Sequence, residues 1–432
     1  MTSDRTPAEG PSPSLWRDGR FRTFWIGQTL SQFGDRISEL ALPLIAVLVL
    51  DAGAGEVGLL TAAVWAPNIV SIFVGSWVDQ RREKRPLLII ADLLRGLVLA
   101  TIPVAYLLDA LTLGHLYAVA LLAGLGQVLF STAYMPFFVA LVARDRYLDA
   151  NAKLSASRSA SFIAGPAVGG ALVQLLTAPG AILVDALTFV VSAVQIGRVR
   201  VEERPVADAH GQSLLRRARE GLALVVRHPY LRAGLGCATT INFFTFMAQA
   251  LLVLFASRDL GLSAGVIGLA FGIGAVGGLL GAVVAPRLAE RYGLGHMVAV
   301  GAILFPAPLA LLALAGGPTW TAAAVLGAVE FISAFGVMLF DVNLNALQAT
   351  VTPDAVRSRV TGAFSTINYG IRPLGALLGG ALGAWLGVRP TLVLAAVGGL
   401  LSVLWLLPSP IPAVRSLADL EPPDHPAPAR AG

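Results

Sequence analysis

Long apolar segments follow one another along almost the entire chain, separated by short polar stretches. Most of these segments have about 20 residues or more, the length that an α-helix needs to cross a bilayer. Because backbone polar groups inside a bilayer must be satisfied within the segment itself, each segment is predicted to be helical. The twelve predicted spans, helices 1 to 12, are residues 23–50, 55–78, 86–108, 115–141, 153–176, 181–199, 229–256, 263–289, 295–316, 319–350, 358–386 and 390–408.

The longest polar interruption divides six predicted helices from six and defines the domain organisation. The predicted parts are an N-terminal tail (1–22), a six-helix bundle (23–199), a linker (200–228), a second six-helix bundle (229–408) and a C-terminal tail (409–432). The linker is predicted to contain an amphipathic helix, with arginines near lipid phosphates and Leu214, Leu215, Leu222 and Val225 against the membrane surface. A solvated connector is the alternative.

Short motifs recur between the two halves at one offset. The segment GPAVGG at 165–170 returns as GALLGG at 375–380, and Gly58 and Gly268 occupy matching positions in EVGLL and VIGLA. A single offset serving two different helices of each half indicates a duplicated six-helix bundle. Parallel repeats of this kind commonly hold a substrate site between the halves.

Lys and Arg residues are distributed unevenly about these spans. Of the 31, Arg258 and Arg389 fall in loops on one side and Arg36, Arg95 and Arg372 fall within helices, while the others fall on the opposite side. The positive-inside rule then places both termini in the cytoplasm. Basic residues confined to one membrane surface argue against a nucleic-acid partner.

The remaining composition excludes several classes of protein. With 56% hydrophobic and 13% charged residues, the chain is far more apolar than a soluble domain. Its polar, Pro-rich first 20 residues do not have the pattern of a cleaved secretory signal, and Cys237 is the only cysteine, which excludes an intrachain disulfide. The sequence has no HExxH, GxSxG or GxxxxGK motif, so we expect neither an enzyme nor a metal or other cofactor.

Polar side chains recur at helical spacing on every third predicted helix. These stripes are Gln28, Ser31, Gln32, Asp35 and Glu39 on helix 1; Gln127, Ser131 and Tyr134 on helix 4; Thr239, Asn242, Thr245 and Gln249 on helix 7; and Glu330, Ser333, Asp341, Asn345 and Gln348 on helix 10. Helix 11 adds Ser365, Asn368 and Arg372, whereas helices 9 and 12 are nearly all apolar and are expected to face lipid.

Three charged residues of these stripes are predicted to lie near the middle of the bilayer. At ~1.5 Å per residue, Asp35, Glu330 and Arg372 each lie roughly 20 Å from the near end of their helix, so one central cavity is expected to hold all three. Intramembrane charges usually mark ion or substrate paths. We expect Asp35, with Glu39 or Glu330, to carry a proton, and Arg372 to tune its pKa or to meet an anionic cargo.

The alternative is that Asp35 forms a purely structural ion pair with Arg36 or Arg372. Asp92 and Arg95, about one turn apart on helix 3, are predicted to form a structural pair, and Asp185 is predicted to be structural as well. Aromatic residues expected to offer surface to an organic cargo are Tyr134, Phe243, Phe244, Phe246 and Phe340, although packing is the more frequent role for such residues.

The loop between helices 2 and 3, GSWVDQRREKRPL, resembles the glycine, aspartate and basic loop motif of the major facilitator superfamily. Gly75, Asp79 and Lys84 match, and LAERYG at 288–293 resembles a degraded second copy with Glu290 and Gly293. The resemblance implies that Asp79 approaches the positive N-terminal end of helix 11 and holds the cytoplasmic gate shut. It also implies that Asp145 accepts a basic residue from the loop after helix 2.

On helix 5, SFIAGPAVGG resembles the motif of the superfamily's exporters and antiporters, with Gly165, Pro166, Gly169 and Gly170 matched. Pro166 is expected to bend the helix and the glycines to pack tightly against the opposite half. Plain small-residue packing is the alternative interpretation. Further stretches, including FWIGQTLSQFGDRISELALPLI, IADLLRGLVLA and SRVTGAFSTINYGIRPLGALLGG, resemble the exporter branch that includes the enterobactin exporter and the macrolide efflux proteins. The basic residue usual on helix 4 in that branch has no match here.

Together these features predict a twelve-helix, all-α transporter of the bacterial inner membrane, monomeric in the lipid bilayer. The resemblance implies export of a small amphipathic organic compound by proton antiport, through alternating access of the two bundles. The alternatives are a proton-coupled importer of a nutrient and, from a different class, a membrane-embedded sensor or enzyme.

Overall fold

In the computed structural model, the described residues are 15–201 and 214–420. Their long helices are α1 (Gly19–Leu48), α2 (Ala54–Trp65 continuing through a 3-10 turn to Ser71–Asp79), α3 (Arg85–Leu107), α4 (Leu113–Leu141), α5 and α6 (both within Tyr147–Arg198), a linker helix (Leu214–Arg227), α7 (Pro229–Leu254), α8 (Ala264–Tyr292), α9 (Leu294–Leu304 with Leu309–Ala313), α10 (Thr319–Val351), α11 (Asp354–Gly370 with Arg372–Leu386) and α12 (Val388–Leu400, extended by Leu401–Trp405).

These helices confirm the prediction of twelve spans. Eight helices in the described chain are by themselves long and apolar enough to cross a membrane. One of them, Tyr147–Arg198, contains two spans because its backbone leaves helical geometry at Thr177, where φ is 70° and ψ is 165°; α5 precedes this turn and α6 follows it. The three remaining spans are not among these eight helices. The helices α2 and α11 are broken, and α1 carries the charges of its polar stripe.

The two six-helix halves meet through glycines that obey the predicted repeat. Gly58 of α2 packs against the backbone of α11, where an added Cβ would lie 2.6 Å from Cα of Gly380 and 2.8 Å from the carbonyl oxygen of Ala376. Gly268 of α8 packs against α5 in the same way, because its Cβ would lie 3.1 Å from Cα of Gly170 and 2.2 Å from the carbonyl oxygen of Pro166. Equivalent residues therefore make equivalent contacts, as a pseudo-symmetric pair of bundles requires.

We call the membrane face at which α1 begins and the linker lies the linker face, and the opposite face the distal face. The halves are closed together at the distal face. Gly58 lies only one turn into α2, which starts there, and Gly170 packs on Ala264 and Gly265 at the start of α8. A salt bridge between Arg258 and Asp51 also joins the halves at this face.

The linker helix packs on protein rather than on the membrane surface alone, which corrects part of its prediction. Val225 is buried in a small apolar cluster with residues of α7 and α11, including Leu235 and Val360. Glu220 accepts a hydrogen bond of 3.1 Å from Arg359 of α11. Leu222 is partly exposed, as expected, and the side chains of Leu214 and Leu215 lie outside the described residues.

Candidate functional site

A polar cavity of about 260 Å³ lies inside the first half, on the linker-face side of the glycine contacts. It brings together five residues of the predicted pathway, which come from α1 and α4. These are Gln28, Gln32, Asp35, Arg36 and Tyr134. Gln127 and Ser131 of the α4 stripe line it as well, together with residues of α3 and α5. The two polar stripes of this half therefore face one interior space, as predicted.

Asp35 forms a salt bridge with Arg95 of α3, which corrects two predictions. Neither Arg36 nor Arg372 is its partner, and Arg95 is not paired with Asp92. The guanidinium of Arg95 lies 3.9 Å above the ring of Phe189 and is largely buried. Because the sequence places Asp35 and Arg95 on different helices, spacing along one helix does not reveal this pair.

Asp92 lies one turn before Arg95 and is 1% exposed. It is beside Arg95 and Ser192 of α6 but has no salt bridge within the described chain. Arg95 is thus positioned between two carboxylates, with Asp35 as its present partner. Loss of the Asp35 charge would leave Asp92 as a buried carboxylate beside the same guanidinium.

Arg36 is held at the far end of the cavity by a different set of contacts. Its guanidinium donates a hydrogen bond of 2.6 Å to Glu39 and lies 5.2 Å from the ring centre of Phe162. Its side-chain stem fills the space beside Gly165 of α5, where an added Cβ would lie 2.5 Å from Cβ of Arg36. The absence of a side chain at Gly165 therefore leaves room for the side chain of Arg36 inside the first half.

The predicted exporter motif is divided between two interfaces. Gly165 and Gly169 face α1 of the same half, whereas Pro166 and Gly170 contact α8 of the opposite half. Packing against the opposite half was the expectation for all the glycines, and it is correct only for Gly170. The motif thus couples α1, which carries Arg36, to the contact between the halves.

Asp185 lies behind the cavity and is fully buried. Its carboxylate accepts hydrogen bonds from the hydroxyls of Ser38 and, at 3.2 Å, Thr188. An added Cβ at Gly34 would collide with it. These contacts agree with the structural role predicted for Asp185.

A second polar cluster lies in the other half around Arg372 of α11. Its guanidinium donates a hydrogen bond of 3.2 Å to Asn242 and lies within 4.4–4.6 Å of the ring centres of Trp65, Phe246 and Tyr369. Trp65 belongs to α2 of the first half, so this cation–π contact also connects the halves. Near the same group, Asp341 interacts electrostatically with Arg372, and Asn368 accepts a hydrogen bond from Thr239.

One central cavity that holds Asp35, Glu330 and Arg372 was expected, and the structure corrects this. Glu330 does not line the cavity of Asp35, because its backbone and Cβ pack against Gly274 of α8. Arg372 is enclosed by its aromatic rings, and Gln249 is exposed without a hydrogen bond in the described chain. Equal depth in the bilayer does not require a shared cavity, because α1 and α10 belong to different halves.

The aromatic residues predicted to contact a cargo divide in a similar way. Phe340 is 2% exposed, and Phe244 packs against Gly398 of α12, so these two have packing roles. Phe243 stacks edge-on against Phe244 at 5.1 Å. Tyr134 lines the cavity and Phe246 encloses Arg372.

The gating motif is well formed as a loop, and the side chains of residues 354 and 355, at the end of α11 that Asp79 was predicted to approach, lie outside the described residues. Lys84 is buried and its ammonium donates hydrogen bonds to the carbonyl oxygens of Val78, at 2.7 Å, Asp79, at 3.3 Å, and Arg81. It therefore closes the end of α2. Asp79 is exposed and has no salt bridge among the described residues.

The other motif residues also lie at the linker face. Asp145 is 3.9 Å from its neighbour Arg146 rather than from a basic residue of the loop after α2, which corrects that prediction. Glu290 is exposed, and Gly293 ends α8 with a φ of +95°, a conformation that favours glycine. The chain then turns at once into α9.

Four residues of these two clusters were not predicted in their observed roles. Arg95 was assigned to a structural pair, Arg158 was counted among the arginines of the linker face, and Trp65 and Tyr369 were not considered. For Arg158 a signal existed, since it lies 11 residues into Tyr147–Arg198 and hence ~16 Å from the start of that helix.

The major facilitator superfamily model matches residues 24–369 and 235–430 of this chain. Curated relatives include the multidrug efflux pump Tap of Mycolicibacterium fortuitum, 26% identical over 383 residues, with 83% of this chain and 88% of the relative covered. The enterobactin exporter EntS of Salmonella typhimurium is 24% identical over 379 residues, with 84% and 86% covered.

Solved structures share the fold. The nucleoside transporter NupG superposes with a TM-score of 0.73 at 12% identity, covering 90% of this chain and 98% of that one. A bacterial homologue of the iron transporter ferroportin in its inward-facing state gives 0.69 at 17% identity, covering 91% and 100%. These relatives are transporters rather than enzymes. With twelve spans, two pseudo-symmetric bundles and a family match along nearly its whole length, the chain belongs to the major facilitator superfamily of membrane transporters.

Proposed function

We propose that the protein exports a small amphipathic organic compound and drives this export by proton antiport. The observation that carries the proposal is the salt bridge between Asp35 and Arg95 on the wall of the interior cavity. An ionised Asp35 pairs with Arg95, and a protonated Asp35 does not, so proton uptake changes the contact between α1 and α3. Export as the direction is supported by the two efflux relatives.

The orientation that this proposal requires follows from the charges. The linker face carries most of the basic residues and is therefore assigned to the cytoplasm, with both termini. The described state, closed at the distal face, is then inward-facing and ready to take up cargo from the cytoplasm. Rocking of the two bundles exposes the same cavity to the outside, where a proton enters and cargo leaves.

Everted membrane vesicles test the direction and the coupling together. With the linker face outward, an imposed gradient that acidifies the lumen is expected to drive uptake of a fluorescent amphipathic compound. Collapse of the gradient by a protonophore should abolish that uptake. Accumulation in right-side-out vesicles with external acid, and none in everted ones, would instead establish an importer.

Asp79 is proposed to hold the linker face closed in the outward-facing state, through the N-terminal end of α11. Because Asp79 has no salt bridge among the described residues of the inward-facing state, Asp79→Asn should destabilise only the outward-facing state. A charge at a helix end contributes ~0.3–1 kcal/mol, which predicts a ~2- to 5-fold faster maleimide labelling of Ser131→Cys from the linker face. Native Cys237 is buried and gives little background.

Glu83→Gln is the matched control, since it removes an exposed carboxylate from the same loop. It should leave the labelling rate unchanged. Equal rates in Asp79→Asn and the unmodified protein would show that the predicted latch does not exist.

A further inference from the structure

Among the described residues, Arg158 is the arginine of the cavity lining that has no carboxylate partner. Asp35 pairs with Arg95, and Arg36 pairs with Glu39, whereas Arg158 is exposed to the cavity and forms no salt bridge in the described part of the chain. It lies ~16 Å along its helix from Tyr147 and ~28 Å from the turn at Thr177, which places it near the linker-face edge of a ~30 Å hydrocarbon core. A cation that lines an interior cavity there normally has a partner or faces a path that a charged group uses.

The side chains beside Arg158 are also hydrogen-bond donors without partners. Tyr134 lies close enough to Arg158 to interact with it electrostatically, and its hydroxyl has no hydrogen bond within the described residues. Its ring is fixed by a stack on Phe138 at 6.2 Å. Gln127 is exposed on the same helix, and its amide is likewise without a hydrogen bond there. A guanidinium, a phenol and an amide thus face one space with free N–H and O–H groups.

Arg158 differs from the other charged groups of the lining in its surroundings. Asp35 and Arg95 form a salt bridge, Arg36 is paired with Glu39, and the carboxylate of Asp92 lies beside Arg95 and is only 1% exposed. Arg158 is therefore the exposed charge of the lining without a salt-bridge partner among the described residues. A guanidinium binds a carboxylate through two parallel hydrogen bonds, a geometry that a single exposed arginine can provide.

An apolar surface lies next to these donors. Phe130 of α4 lines the cavity with a small part of its ring, since it is 8% exposed. Phe162 is one turn beyond Arg158 on α5, is 43% exposed and lies below the guanidinium of Arg36, outside the lining itself. An elongated compound with an acidic end and an aromatic body would place the acid on Arg158 and the body toward Phe130.

We propose that Arg158, Tyr134 and Gln127 form a binding site for the carboxylate of an amphipathic aromatic acid, which makes acidic compounds the cargo class of this transporter. This inference rests on the proposed export function for its biological meaning, although binding itself does not require transport. The site differs from the proton-carrying pair, since Asp35 and Arg95 are already occupied with each other.

The test uses three probes that share one fluorescent body and differ only in charge: pyrenebutyrate, pyrenebutanol and pyrenebutylamine. Their binding is measured by fluorescence with the full chain in nanodiscs made of zwitterionic lipid. The unmodified protein should prefer pyrenebutyrate. Arg158→Gln should weaken pyrenebutyrate at least about tenfold, the loss expected for a charged hydrogen bond, and leave the other two unchanged. Arg158→Lys should retain part of the preference.

Arg198→Gln serves as the control, because it removes an exposed arginine from the linker-face end of α6. It should bind all three probes normally. No preference for pyrenebutyrate in the unmodified protein, or an equal loss of all three probes in Arg158→Gln, would overturn the proposal. A selective loss of pyrenebutyrate binding without gradient-driven movement of any probe in vesicles would uphold the site and refute the proposed export function.

Discussion

Asp35→Asn is expected to reduce proton-driven transport to the level of vesicles that lack the protein. Asparagine has nearly the same shape and still accepts a hydrogen bond from Arg95, but it has no ionised form. The contact between α1 and α3 then no longer depends on a proton. The measurement is uptake of a fluorescent cargo by everted vesicles with and without a pH gradient, together with binding of the same cargo to purified protein, which should persist.

The substitution also removes the salt-bridge partner of Arg95 and leaves the buried Asp92 beside it. Asp35 is 27% and Arg95 9% exposed, so we expect a loss of about 1–3 kcal/mol in stability, measured as a lower Tm. The double variant Asp35→Asn with Arg95→Gln also removes the guanidinium that has lost its salt-bridge partner. It should restore Tm without restoring transport. This double variant separates a coupling defect from a folding defect.

Asp149→Asn is the matched control. It breaks a salt bridge with Lys153 that lies on the protein surface, where Asp149 is half exposed, and such pairs contribute about 0–1 kcal/mol. Its transport should be normal. Gradient-driven uptake by Asp35→Asn at the normal rate would move the proton-carrying role to another carboxylate, of which Glu330 is the next candidate.

The fold was predictable from the sequence because membrane spans are long and every residue of a span contributes to the signal. The internal repeat also predicted that Gly58 and Gly268 are equivalent positions. In the structure they make equivalent contacts, with Gly380 and Gly170 respectively. Breaks within spans were harder to predict. The turn at Thr177 falls in the loop predicted between helices 5 and 6, whereas the breaks at Ala66–Val70 in α2 and at Ile371 in α11 were not predicted.

The site was predictable only in part. A polar stripe shows which face of a helix is directed toward a polar interior, but it does not show which neighbouring helix that face contacts. Gln28, Asp35 and Tyr134 were identified on that basis. The salt bridge of Asp35 depends on how α1 lies against α3, and no spacing within either helix reports this. Arg158 was missed for another reason: a charge near the end of a predicted span is easily assigned to water when the helix in fact begins earlier.

A methyl group added at the contacts between the halves is expected to stop the transport cycle. Gly58→Ala would place Cβ 2.6 Å from Cα of Gly380, and Gly268→Ala would place it 2.2 Å from the carbonyl oxygen of Pro166. The atoms in the way belong to backbones, which cannot rotate aside as a side chain can. Each variant should therefore prevent closure of the distal face and favour the outward-facing state, with transport reduced at least about tenfold, since a forced core fit commonly costs 1–3 kcal/mol.

Leu108 and Leu314 are exposed near the distal face and belong to different halves. Spin labels at Leu108→Cys and Leu314→Cys should show this change as a longer distance in double electron–electron resonance. The repeat predicts the same displacement for the two glycine variants, because each acts on an equivalent contact. Gly55→Ala is the control: it lies on α2 at the same interface, yet its Cβ would meet nothing nearer than 3.9 Å. A short distance and normal transport in Gly58→Ala would mean that the halves do not separate along α2 and α11, and the rocking motion would have to be assigned to other helices.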